Sequence, residues 1–291
     1  RNTAGTLLGV SSLLATLWLA DRWKRPEDDL PFLRGEDGMP PILRRLMVPA
    51  GLLGLSTLAL FLTSSRGALL ATILGYAIAL PLLIQDLRFG PWRRDRETRT
   101  AGLRGVALAA LGTVAVIFAA VALFGGEASA RLAQEGLDEG RLCFYRASLA
   151  AFAERPWFGT GLGTFEAVFP AFRQADCAAL GTSVSRAHNI YLEGLVTLGW
   201  LALPFMLVIL WRLLATLRAG YWARQRQRHV PICGLGILVL VAAHGLVDFS
   251  LQVPGLSLFV AALLGAVTTI AFRRSIPGER SRTERTQRRA G

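Results

Sequence analysis

The sequence predicts an all-α, polytopic membrane protein, and three observations carry that prediction. Apolar residues make up 53% of the 291 and charged ones only 18%, against roughly 25% charged in soluble domains, so there are too few charges to cover a water-facing surface. Long apolar stretches recur along the chain, each near the length that crosses ~30 Å of hydrocarbon as a helix. The basic residues, 31 arginines and one lysine, gather between those stretches. The wealth of large aliphatics also excludes a disordered chain.

Seven spans follow in order. The first is 3–20, closed by Asp21-Arg22. The second, 46–63, ends in the turn Thr63-Ser64-Ser65-Arg66, from which the third, 67–84, departs at once. The fourth is 105–124. A long connection, 125–189, leads to the fifth, 190–211. The sixth, 232–251, and the seventh, 255–272, are separated by a short turn ending in Pro254. Pro81 and Pro204 fall inside spans and are expected to kink them. The segment 273–291 is polar and arginine-rich and reads as a disordered cytoplasmic tail.

Charge placement sets the orientation. With connections assigned alternately to two sides, 24 basic residues fall on one and 8 on the other. The arginine-rich side is the cytoplasmic one, so the 125–189 loop faces outward. The clusters then serve as topology anchors, and the net charge of +12 is no argument for nucleic acid. Arg1 begins the chain on the outer side without a signal-peptide pattern, which leads to the expectation that further spans precede it.

Polar groups at span ends are the informative ones in a bilayer, and several collect on the outer side. Arg66 stands against the charge rule that the other connections obey; it is either a snorkelling interfacial side chain or an anion ligand held between two helices. Leu142, Tyr145, Leu149 and Phe152 recur at helical spacing, so Leu142 to Glu154 reads as an amphipathic helix stopped by Pro156. Arg141 and Arg146 are then about 140° apart around its axis, and only one can point into a shared site. Trp157 to Phe165 is a glycine-rich turn among aromatics, without the lysine of a phosphate-binding loop, and is expected to rest at headgroup level. His188 and Asn189 open the fifth span, where a helix N-terminus favours an anion. His244 and Asp248 are four apart on the sixth span and should share a face; structural pairing and functional use are both open to them.

No pair of acidic residues separated by one residue and no cluster with metal-ligand spacing is legible in the outer loop, and no metal or other cofactor is expected. Cys143 and Cys177 both lie in that loop and are expected to form a disulfide closing about 35 residues, worth ~3–4 kcal/mol in the loop-entropy account. Cys233 is placed within a span, as packing.

The ordered set of motifs resembles the O-antigen ligase family and its related O-antigen polymerases. It comprises Ser65-Arg66-Gly67-Ala68, Gly140-Arg141, Arg155 to Phe165, Ala187-His188-Asn189-Ile190-Tyr191-Leu192-Glu193, and the His244…Asp248-Phe249 span ending in Pro254. That resemblance implies a helical bundle of the GT-C type in the bacterial inner membrane, working at the periplasmic face. It implies transfer of a glycan from undecaprenyl diphosphate to a sugar hydroxyl on lipid A-core, with Arg66 and Arg141 on the diphosphate and His188 as the essential histidine. Arg146, Asn189, His244 and Asp248 are secondary candidates. The rivals are a polysaccharide polymerase or protein-glycosylating ligase with the same donor, a proton-coupled transporter using His244 and Asp248, and a non-catalytic scaffold.

Overall fold

The computed structural model describes residues 1–24, 41–89, 139–173, 184–223 and 227–272. Among the described residues there is no β-strand. The helices are α1 (Asn2–Lys24), α2 (Pro41–Leu62), α3 (Arg66–Phe89), α4 (Glu139–Glu154), α5 (Phe165–Phe172), α6 (Ile190–Leu198), α7 (Ala202–Ala223), α8 (His229–Gly245) and α9 (Pro254–Phe272). Five helical stretches are long and apolar enough to cross a membrane, which makes this a polytopic helical membrane protein. The expected span 105–124 lies outside the described residues, as do the segment 273–291 and much of the 125–189 connection.

Helix α8 is the axis of the bundle. At 17 residues it is about 26 Å long, short for a lone span, but it is enclosed by α1, α3, α7 and α9 and need not match the bilayer by itself. Small residues permit that enclosure, as expected where lipid supplies no hydrophobic drive between helices. A Cβ on Gly75 of α3 would sit 2.7 Å from the Gly236 carbonyl oxygen of α8, so the two backbones touch there. Val10, Leu13, Ile237 and Leu240 fill the resulting core. At the α8 end that carries His229, buried Lys24 pairs with Asp86, and His229 Nε2 lies 3.1 Å from Asp21 Oδ1. These contacts tie α1 to α3 and α8 where the arginine-rich connections emerge.

A second core stands apart from the bundle. Cys143, Ala147 and Ala151 of α4, Phe165 and Phe169 of α5, Ala187 and Val196 form it, with Phe144 and Phe152 packed against them. Helix α4 begins three residues before the expected start at Leu142 and ends at the expected Glu154.

Two of the expected spans are built differently. The fifth span is not one helix: α6 ends at Leu198, Gly199 adopts φ 61°, and α7 starts at Ala202. The 22 residues of α7 reach about 33 Å, a full span without α6, which belongs to the second core. Pro204 therefore sits in the first turn of α7, where its missing N–H breaks no helical bond. The sixth span stops at Gly245, and Ser250–Gln252 form a separate 3-10 turn. Hence Asp248 is not on the same helix as His244.

Candidate functional site

The end of the bundle opposite Lys24 and His229 collects the start of α1, the α2–α3 turn, the start of α6 and the α8–α9 turn. Antiparallel packing brings these four together because each is a helix end on one side of the membrane.

Asp248 is the centre of the resulting network. It is almost fully buried, lies in the turn beyond α8, and takes a hydrogen bond from Asn2 Nδ2 at 2.7 Å and from the Ser250 backbone N–H at 2.9 Å, with the Ser250 hydroxyl also donating. Burial opposes its ionisation. The groups around it, His188, Ser250, Asn2 and then His244, outweigh that penalty and hold the carboxyl below the usual carboxylate range. A charged acceptor is thereby fixed in a sheltered place. The relay runs on from Asn2, whose Oδ1 accepts from Ser65 Oγ at 3.0 Å. Ser65 in turn precedes Arg66, the first residue of α3.

His188 stands opposite this carboxylate. Its Nδ1 lies 3.8 Å from Asp248 Oδ1, beyond hydrogen-bond length, and is buried without a hydrogen-bond partner. The side chain as a whole is 32% exposed, so the ring shelters one edge and shows another. Phe144 stacks on it with ring centres 5.5 Å apart and planes 14° apart, and Phe249 meets it edge-on at 4.8 Å. The backbone of His188 is left-handed, at φ 53°, a conformation that costs a non-glycine residue of order 1–3 kcal/mol. Glu193 offsets that cost. From one turn into α6 its buried carboxylate reaches back to accept from Ala187 N at 3.0 Å and Arg186 Nη1 at 3.0 Å.

Asn189 has a local job. Its Oδ1 accepts from the N–H groups of Tyr191 and Leu192 at 3.0 and 3.1 Å, capping α6. The donors at that helix start, which the sequence offers to an anion, are taken by Asn189 instead. His244 is also diverted from its expected partner. Its Nδ1 meets Thr6 Oγ1 at 2.7 Å, and its ring lies against Gly67, where an added Cβ would be 3.3 Å from Nε2. His244 and Asp248 thus take separate partners, because the chain leaves the helix between them.

The two arginines of α4 differ in exposure. Arg146 is exposed, while Arg141 is half-buried and within electrostatic reach of His244. Phe144, one turn after Arg141, is the residue stacked on His188, and Tyr145 Oη donates to Leu246 O at 3.1 Å. Helix α4 is docked against the α8–α9 turn with its Arg141 side toward the network. Arg66 is half-buried at the start of α3, next to the Gly67–His244 contact. Cys143 is disulfide-bonded, Cys233 is free and buried, and Cys177 lies outside the described residues. Among the described residues no three His, Cys, Asp or Glu side chains converge as a metal site would need.

Sequence reasoning passed over Asn2, Ser65, Glu193, Phe144 and Phe249. Ser65 and Glu193 stood within the motifs already singled out. Asn2 carried no local signal, since its partner Asp248 is 246 residues away.

The family model described as O-antigen ligase matches residues 51–207, more than half of the chain and the part that holds Arg66, Arg141 and His188. A search of curated proteins finds no match.

Proposed function

The chain belongs to the O-antigen ligase family, a family of membrane glycan-transfer enzymes, and from that premise we propose that it moves a glycan from undecaprenyl diphosphate to a sugar hydroxyl of lipid A-core at the periplasmic face of the bacterial inner membrane. One observation supports this most: His188 is immobilised between two aromatic rings, with its sheltered Nδ1 toward a buried carboxylate and its other edge accessible.

That arrangement suits a general base. The acceptor hydroxyl attacks the anomeric carbon, the bond from that carbon to the diphosphate oxygen breaks, and the hydroxyl proton passes to Nε2 of His188. The positive charge that forms on the ring is stabilised by Asp248, and the 3.8 Å gap is of the kind that tightens once substrate is bound. Charge also grows on the departing lipid diphosphate. Arg66 and Arg141 supply forked, permanently charged donors for it, the contribution that a divalent cation makes in other phosphate chemistry. Arg146, exposed on α4, is assigned no step in this reading. Asn189 shapes the start of α6, and His244 holds α1 and α3 together beneath the site.

His188→Ala should abolish transfer while the protein still inserts and folds. The assay is the lipopolysaccharide banding of cells that carry only the variant. A lost ladder over intact core is the expected outcome for a ligase; a single-repeat band would assign polymerisation instead. An unchanged ladder would remove His188 from the chemistry.

A further inference from the structure

The glycine-rich segment between α4 and α5 has no place in the chemistry just described, yet it is among the most rigidly built parts of the second core. Gly159, Gly161 and Gly163 all have positive φ, 66°, 104° and 76°. The loop is clamped to the far end of α6: Thr160 N donates to Val196 O and Gly161 N to Thr197 O, each at 2.9 Å, and Trp200 N donates to Pro156 O at 2.7 Å. At Gly159 a Cβ would be 2.5 Å from the Thr197 carbonyl carbon, so the contact is backbone on backbone. Thr160 and Thr164 join hydroxyls at 2.7 Å across the base of the loop.

What this scaffold displays is apolar. Trp157, Phe158 and Leu162 are 69%, 78% and 77% exposed, and 156–165 contains no charged residue. A rigid, uncharged loop that holds three large apolar side chains away from its own core marks a contact surface. Its position identifies the partner. The clamp lies at Gly199 and Trp200, two residues before α7 begins to span, and the exposed apolar surface continues without a charge through Trp200, Leu201, Leu203 and Phe205. Exposed apolar side chains on a spanning helix face hydrocarbon, and tryptophan and tyrosine gather where hydrocarbon meets headgroups.

We propose that 156–163 is a finger seated in the interfacial layer of the bilayer at the start of α7, and that it sets the depth of the second core. Helix α6 is the gauge: it carries the finger at one end and His188 at the other, roughly 14 Å apart along its nine residues. The ring that faces the substrate is thereby held at a fixed distance from the lipid surface rather than swaying on a loop.

The test is optical and does not require activity. In proteoliposomes the tryptophan emission removed by Trp157→Phe is that of Trp157 alone, and the phenyl ring preserves the fold. Phospholipids brominated near the top of their acyl chains should quench that component by on the order of twofold or more, as for a ring at headgroup level, while aqueous iodide leaves it intact. Leu162→Trp in the Trp157→Phe background should show the same pattern. Quenching by iodide and not by brominated lipid would place the finger in water and overturn the proposal. Quenching by neither would mean that protein covers it, which also overturns it. Neither result depends on the reaction assigned to His188.

Discussion

Removing the Glu193 carboxylate should cripple a histidine that it never touches. Glu193 is buried to 4% exposure, and its two oxygens hold Ala187 N and Arg186 Nη1, each at 3.0 Å. In Glu193→Ala the Ala187 N–H is left buried and unsatisfied, at a cost of about 1–3 kcal/mol. The lost ion pair adds little, about 0–1 kcal/mol, because the Arg186 side chain is 38% exposed and regains water. Most of the penalty is therefore local to the residue before His188, whose left-handed backbone is itself strained. Releasing the strap lets 186–188 relax toward ordinary backbone and carries the imidazole off its Phe144 face. Stability should fall by about 2 kcal/mol, while transfer drops on the order of 10–100-fold, within the range that a mispositioned general base forfeits. Glu193→Gln, which keeps an acceptor for Ala187 N, should lie between the variant and wild type. The measurements are thermal unfolding in detergent and the lipopolysaccharide ladder in cells. A Glu193→Ala protein that is less stable but fully active would refute the reasoning, since the strap would then be structural alone.

Three further outcomes follow from the same geometry. Arg66→Lys should lose transfer by on the order of tenfold or more, because a point charge does not replace a planar fork on a diphosphate; wild-type activity would show that Arg66 only snorkels. Asp248→Asn preserves an acceptor for Asn2 but removes the charge beside His188, and should slow transfer by on the order of 100-fold with insertion intact, as read from the ladder and from membrane fractionation. Gly199→Ala places a Cβ 2.4 Å from Pro156 O at a φ of 61°, so it should destabilise the protein by at least ~2 kcal/mol through strain, visible as a lower unfolding temperature. A variant with the wild-type temperature would mean that the α6–α7 break is not as tight as its backbone contacts imply.

The apolar, helical character of the described spans was readable because it depends on composition over windows of about twenty residues. The break at Gly199 was not. Residues 190–211 carry no charge apart from Glu193, and only the contact with Pro156 and Trp157, more than forty positions earlier, requires a glycine with positive φ there. The same holds for the shared helix face of His244 and Asp248, which four-residue spacing suggests and which fails because the helix ends at Gly245.

By itself the sequence determined an all-helical, polytopic membrane protein, since hydropathy acts on each segment locally. Tertiary structure decided which groups surround His188. Asn2, Ser65, Glu193, Phe144 and Phe249 come from five separate segments, and the pairings that matter, Asn2 with Asp248 above all, join residues that only the packing of helix ends brings within reach. Long-range hydrogen bonds leave no periodic trace along a chain, because the free energy that selects them is gained only after the helices have met.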